Sequence, residues 1–393
     1  MGLTVKKNTA YAVEIESTEG VYKAPTGPSS FVQVLADGAE LAPSKELLER
    51  NIFTASIGKT SPRTGQFQVT GSMPVECRAS STEGGAPEYD ALMLSALGAK
   101  RQKSATTITK VGNTASVLQI DDFDIGDFAV GDIVLIKEPG AFHVSPIKAV
   151  DDTQGAATIT LLVPHPTGIS SNAEIAKFTT YTVADSGHPS LSISKYLEGK
   201  VLEKAIGCRV NSMSLENFAT GQLPSWSFGY EGLNFDRELT SIPYQPSYDT
   251  ALPPIILDAK VFMDGQEILV NELSLTVENT LGFQTATSAP NGRIAGRATE
   301  RTITGSFNPY KQDNSISNFT KYKQNTAFSL FAYAKVPTST PGEFNQIVAI
   351  YMPNCLITEL GEADQDGLLQ ETISFSANRG NSGNIPEIYI SFI

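Results

Sequence analysis

Phe67-Gln-Val-Thr-Gly-Ser-Met73 and Arg301-Thr-Ile-Thr-Gly-Ser-Phe307 carry one pattern at two places in a chain of 393 residues. Each has a branched apolar residue, then Thr-Gly-Ser, then a large apolar residue. Both alternate with period two, the pattern of a strand with one buried face. Val69, Met73, Ile303 and Phe307 fall on the apolar side, with core as their expected place. Gln68, Thr70, Ser72, Thr302, Thr304 and Ser306 fall on the other side, which is small, polar and uncharged.

The order of events around the two strands also repeats. A strand at 31–41 and another at Leu273–Val277 each lead into a long polar connection, 42–66 and 278–301. A helix follows each signature. The first, 87–98, has Pro87 near its start and Gly98 just past its end, with Tyr89, Leu92, Met93, Ala96 and Leu97 on one face. The second spans Ser315–Lys323. Each half then closes with a hairpin. Ser227-Phe228 aligns with Ser374-Phe375, and Ser225 with Thr372, on matched alternation. Gly71 and the turn glycine Gly221 lie 150 residues apart, whereas Gly305 and Gly367 lie 62 apart. The difference of 88 is close to the 81 residues of 104–184, a run of short strands with turn signals. The chain thus divides into 1–103 with 185–240, an insert at 104–184 read as a small β barrel or sandwich on the outside, a proline-rich linker at 241–254, and a second copy at 255–393.

Composition limits the function. With 42 acidic against 29 basic residues the formal charge is −13, which disfavours binding to nucleic acid or anionic membrane through basic patches. Cys77, Cys208 and Cys355 are odd in number and far apart, as reduced buried thiols of a cytoplasmic product are. The N-terminus lacks an apolar signal region, and no apolar run reaches membrane-spanning length.

Catalytic and metal motifs are missing. His143, His165 and His188 stand in no zinc pattern, and there is no nucleophile elbow or Walker loop. The acidic groups at 121–127 and 362–366 read as solvated loops, and Trp226 as a core residue. No enzyme, metal or cofactor is expected. The alternative to a structural role is a non-catalytic module that binds carbohydrate or a receptor, with Trp226 or the insert as its site.

Glu14-Ile-Glu-Ser-Thr-Glu-Gly20, Val69-Thr-Gly-Ser-Met73 and Cys208-Arg-Val-Asn-Ser-Met-Ser-Leu215, leading to Trp226-Ser-Phe-Gly-Tyr-Glu-Gly232, resemble tail tube proteins of long-tailed bacteriophages. The resemblance covers roughly 1–100 and 185–240, and 255–393 as a second copy. It implies a mainly β chain of two tail-tube-type β sandwiches with a flanking helix each, plus the inserted β domain. In the family six such units close a ring around a channel, so two copies per chain imply a homotrimer with pseudo-sixfold symmetry. Rings stack into a virion tail tube, with tape measure, terminator and tip proteins as further partners. DNA crosses the lumen without specific binding, and no membrane is involved. The expected lumen residues are Gln68, Thr70, Ser72, Ser225, Ser227, Thr302, Thr304, Ser306, Thr372 and Ser374. The long connections are expected to reach the neighbouring ring, through Lys45, Glu46, Glu49, Arg50, Lys59, Arg63, Glu278, Arg293, Arg297 and Arg301.

Overall fold

Period-two alternation is satisfied by extended chain with one face buried, and most of this sequence follows it. A computed structural model describes residues 5–289, 291–312, 315–336, 346–380 and 385–393, and it is mainly β. The chain opens with β1 (Thr9–Ile15), β2 (Phe31–Val32), the ribbon β3 (Glu40–Leu48) and β4 (Arg63–Glu76), the helix α1 (Asp90–Leu97) and β5 (Gly98–Lys103). A separate group follows: β6 (Thr107–Ile108), β7 (Val117–Gln119), β8 (Ile133–Glu138), β9 (Ala141–Asp151), β10 (Thr158–Leu161) and β11 (Glu174–Ile175). The chain returns through β12 (Phe178–Val183), β13 (Leu191–Leu197), β14 (Val201–Glu216), β15 (Ser225–Gly232) and β16 (Asn234–Leu239). The remainder is β17 (Lys260–Met263), β18 (Gln266–Ile268), β19 (Val270–Thr285), β20 (Arg293–Pro309), α2 (Ser315–Gln324), β21 (Phe328–Lys335), β22 (Ile347–Gln365), β23 (Leu368–Ala377) and β24 (Tyr389–Phe392).

Eight strands form one antiparallel ladder in the order β3·β4·β15·β14·β19·β20·β23·β22. The first four come from one half of the chain and the last four from the other. The β14·β19 pair joins them. β14 and β22 are long strands that leave this ladder at a bulge, after Val210 and after Ile357, and continue into outer sheets. One outer sheet is β2·β1·β13·β14·β16. The other is β18·β17·β21·β22·β24·β12·β5. Val69, Met73, Phe228, Ile303, Phe307 and Phe375 lie in the core cluster with the apolar side of α1, and none exceeds 2% exposure. A fully buried side chain of this size contributes about 1.5–3 kcal/mol.

The signature glycine has a steric cause. Gly71 lies between Leu41 and Tyr230 in the ladder, and Gly305 between Leu275 and Phe375. A Cβ at Gly71 would collide with the Tyr230 ring and the Glu40 carbonyl. At Gly305 it would collide with the Phe375 ring and the Ser274 carbonyl. Each aromatic ring thus lies over a glycine. This register corrects the sequence alignment. The match of Phe375 is Tyr230, not Phe228, so Thr372 corresponds to Ser227 and not to Ser225. A slip of two residues leaves every side chain on its own face, so alternation alone cannot detect it. Between β14 and β22 a single offset holds on each side of the bulge. Cys208 and Cys355, Val210 and Ile357, and Met213 and Leu360 all differ by 147.

Other stretches depart from the sequence reading. Residues 31–41 do not form one strand, because the chain turns at Gly38, whose φ is +84°. The connections 42–66 and 278–301 are not loops throughout. Strand pairing runs out to Leu48↔Arg63 and to Thr285↔Arg293. The outer part of the first ribbon buries neither face, and the second covers its inner side with small and polar groups such as Gly296 and Asn279, so neither carries an apolar alternation to read. The segment at 241–254 is held along its length. Arg78 donates to the carbonyls of Asp249 (3.3 Å) and Ala251 (2.9 Å), and Asp249 accepts from Ser80 Oγ and Ser81 N–H.

Strands β6·β11·β8·β9·β10·β7 form a separate antiparallel sheet. β5 and β12 connect it to the rest as a two-stranded stem, and β12 also pairs with β24. Leu135, Ile136, Ile147 and Phe178 share a core with Phe331, Tyr333, Ile347 and Tyr389 of the second outer sheet. The insert therefore roofs that sheet, and the outside decoration expected from sequence is also core. Asp132 lies at the same junction, next to Gly131, whose position a Cβ could not share with the Tyr389 ring. Burial pushes its carboxyl up to about 6, despite Arg101 at 3.3 Å and the Ala129 N–H at 2.8 Å.

Gly305→Val destabilises the fold by about 1–3 kcal/mol in chemical denaturation, and Phe375→Ala costs less in that background than it does alone. Deleting 104–177 exposes the aromatic face around Phe331, so the product is insoluble on expression, whereas full-length protein is not. The native state takes up the Asp132 proton near pH 6 and the unfolded chain only near 4. Stability therefore rises as pH falls between those values, and Asp132→Asn flattens that part of the stability profile.

Candidate functional site

The face of the eight-stranded ladder opposite the core is built from small hydroxyls. Register places Ser227, Ser214, Thr276, Thr304 and Ser376 in one row across five neighbouring strands. A second row runs Ser72, Gly229, Ser212, Glu278 and Thr302. Ser274, Ser306, Ser374 and Glu359 make a third. Within it the Ser274 and Ser306 hydroxyls lie 2.8 Å apart, and the Ser274 hydroxyl accepts the Ser306 N–H at 3.2 Å.

The residues expected on this side fall there. Thr70, Thr302 and Thr304 are exposed, and Gln68, Ser72, Ser227, Ser306, Thr372 and Ser374 are half-buried. Ser72 donates to the Gly38 carbonyl. Ser225 is 5% exposed, shielded at the end of its strand. Five hydroxyl positions that the sequence reading passed over complete the rows: Ser212, Ser214, Ser274, Thr276 and Ser376. The signal of the first four was present in Asn211-Ser-Met-Ser-Leu215 and in the strand before the second connection, both of which alternate.

The charges on this side are acidic. Glu40, Glu76, Glu216, Glu231, Glu278 and Glu359 belong to it by register. The ladder segments 68–76, 212–216, 225–232, 274–278, 302–306, 359–363 and 372–376 contain no lysine or arginine. Repulsion of a polyanion from such a wall acts over about 8 Å at physiological ionic strength.

The side chains expected at a ring-to-ring contact divide into two sets. Lys45, Glu46, Glu49, Arg50, Lys59 and Arg63 are exposed on the first ribbon and its 49–62 loop, together with the fully exposed Phe53 and Ile57. Arg297 is exposed on the second ribbon, whereas Glu278, also expected there, lies within the ladder between Ser212 and Thr302. Arg293 and Arg301 are engaged within the chain. Arg293 pairs with Glu231 at 2.7 Å and stacks on Phe283, and Arg301 pairs with Glu387 at 2.9 Å. The second ribbon lies against the first half of the chain. Its Gly296 N–H donates to Glu19 at 2.7 Å, and Asn279 donates to the Ala96 carbonyl at the end of α1, 2.9 Å away.

The other candidates resolve as structural. Trp226 is 0% exposed and cannot stack on a sugar. His165 lies 3.3 Å from Glu138, and His143 meets the Val163 carbonyl at 2.8 Å, while burial holds the His143 imidazole below its usual range. The acidic runs serve turns: Asp121 accepts the Phe123 N–H and Asp364 the Gly367 N–H. Among the described residues no cluster of His, Cys, Asp and Glu is arranged to hold a metal, and no helix is long and apolar enough to cross a membrane.

A sheet with one hydroxyl-lined face, a core behind it and an open strand at each end belongs to a structural β protein. The sequence model described as phage tail tube protein matches residues 6–377, and the chain belongs to that family. It is a structural component of the virion tail. No curated protein matches the chain.

The contact of the second ribbon with Glu19 yields a test. Glu19→Ala removes the acceptor of the Gly296 N–H and one partner of Arg209. Trypsin should then cut first at Arg293 and Arg297, several-fold faster than in the parent, while the melting temperature of the body changes little.

Proposed function

We propose that three chains close edge to edge into a ring of six sheet units, that rings stack into a tube, and that the hydroxyl face lines its channel. On this reading the chain consists of two tail-tube units, with 104–184 inserted in the first and 241–254 as a strap between them. One observation carries the reading. β14 and β19 already join the two halves, and the counterparts of those strands, β22 and β3, are the open edges of the ladder. An open edge invites pairing, and closure removes it. Transposing the internal joint places Leu360 opposite Pro43, and Glu359 opposite Ser44, of the next chain.

The face suits passage of DNA. Hydroxyls give weak, wet contacts, and the glutamates repel phosphate, so DNA moves through without a specific site. The exposed first ribbon, with Lys45, Glu46, Glu49, Arg50, Lys59 and Arg63, reaches the neighbouring ring along the tube axis, with Arg297 beside it. Tape measure, terminator and tip proteins are the further partners.

Electron microscopy of purified protein at rising concentration should show threefold rings and tubes with an axial hole. Thr276→Lys with Thr304→Lys should leave tubes intact and slow DNA ejection from virions that carry it, with the effect reduced at high salt. Monomer at every concentration overturns the ring. Ejection at the parental rate overturns the placement of this face.

A further inference from the structure

The helix α2 faces the wrong way for a monomer. Its buried positions are polar: Asn318 donates to the buried Glu371 at 2.7 Å, and Lys321 pairs with Asp264 at 2.8 Å. Its exposed stripe is apolar, with Ile316 at 76% and Phe319 at 55% exposure, and Tyr322 beside them. In the first half α1 has no such face. The two helices can be aligned on the left-handed residues that follow them, Gly98 (φ +94°) and Asn325 (φ +55°). Ile316 then falls at Tyr89 and Phe319 at Leu92, both of which are buried. What covers Tyr89 includes Phe392 of β24, edge-on at 5.9 Å.

The strand that matches β24 in the first half is β16. β24 pairs with β22 through Ile390↔Ile350 and Phe392↔Val348, and β16 pairs with β14 through Arg237↔Glu203 and Leu239↔Val201. With the 147 offset, Arg237 takes the place of Ile390 and Leu239 that of Phe392. Ile390 and Phe392 are 0% exposed, whereas Leu239 is 85% exposed and the Arg237 side chain 61%. The first half is therefore open where the second half is closed by the α1 region.

We infer that the apolar stripe of α2 docks on β16 of a second copy of this chain, as Tyr89 at the start of α1 meets β24 within one chain. Ile316 then meets Leu239, and Arg237 reaches Phe319 and Tyr322. That arginine already lies over the ring of Phe235 at 5.9 Å, so its guanidinium is placed for a further aromatic partner. Ile316, Phe319 and Tyr322 also line a cleft of about 570 Å³ with Leu360 of the open β22 edge. One incoming copy would thus fill both places, with β3 against β22 and β16 against α2. The inference rests on the ring reading and adds a second contact to the strand joint.

Two single variants test it, because all three native cysteines are buried. Ile316→Cys and Leu239→Cys chains are mixed, assembled and oxidised. A disulfide-linked dimer, seen on a non-reducing gel in the mixture and in neither variant alone, is the expected result. Phe319→Asp should raise the concentration needed for tubes tenfold or more with an unchanged melting temperature, since the residue is exposed in the free chain. Tubes that form without the mixed dimer, or Phe319→Asp tubes at the parental concentration, overturn the docking and leave the ring standing. Parental protein that never assembles overturns both.

Discussion

One hydrogen-bond ladder runs unbroken through eight strands, and its continuity across β14 and β19 governs the molecule. The joint is short, from Ser212↔Glu278 to Leu215↔Leu275, yet it sets the register of everything on either side. Because side chains alternate, that register puts all the hydroxyls on one face and all the aromatic rings on the other. The bulges at β14 and β22 then let the same two strands turn away and build the roof over the core. The buried Asn279 amide, donating to the last turn of α1, ties the helix of the first half to the joint as well.

The two halves differ in how their roofs are covered. Over the second outer sheet lies the insert, through an aromatic layer in which Phe331 stacks on Phe262 at 5.5 Å. Over the first lies the N-terminal segment, through a small apolar cluster of Ala12, Phe31, Tyr196 and Leu202 joined by polar contacts. Tyr22 meets the Ser194 hydroxyl at 2.9 Å, and the Ser192 hydroxyl donates to the buried Glu16 at 2.8 Å. The same sheet design thus accepts an oily or a partly hydrogen-bonded cover, provided each buried polar group finds a partner.

Much of this was legible in the sequence. Alternation identified the strands and the buried set, and Gly98 marked the end of α1, where it has a left-handed φ. Gly367 marked the tip of the last hairpin, which the chain makes as a two-residue turn, Asp366-Gly367, with both φ angles positive. What was hidden lacked a periodic signal. The ribbons at 40–48 and 63–67 are wet on both faces and look like loops. The two-residue misalignment of Phe228 with Phe375 kept every face correct, so only the ring over Gly305 could expose it. The strap at 241–254 is held by Arg78 and Asp249, partners about 170 residues apart in sequence that no local pattern connects.

The stem β5·β12 occupies the outer flank of β24, and among the described residues the equivalent flank of β16 carries no strand. In a ring of three chains the channel would present six nearly equal walls to its cargo, while the exterior would present only three footholds, one at every second unit. Anything that wraps the outside with sixfold periodicity would then meet alternating ridges and bare flanks. On that proposal, two units per chain would leave the exterior free to change at half the positions without disturbing the evenness of the bore.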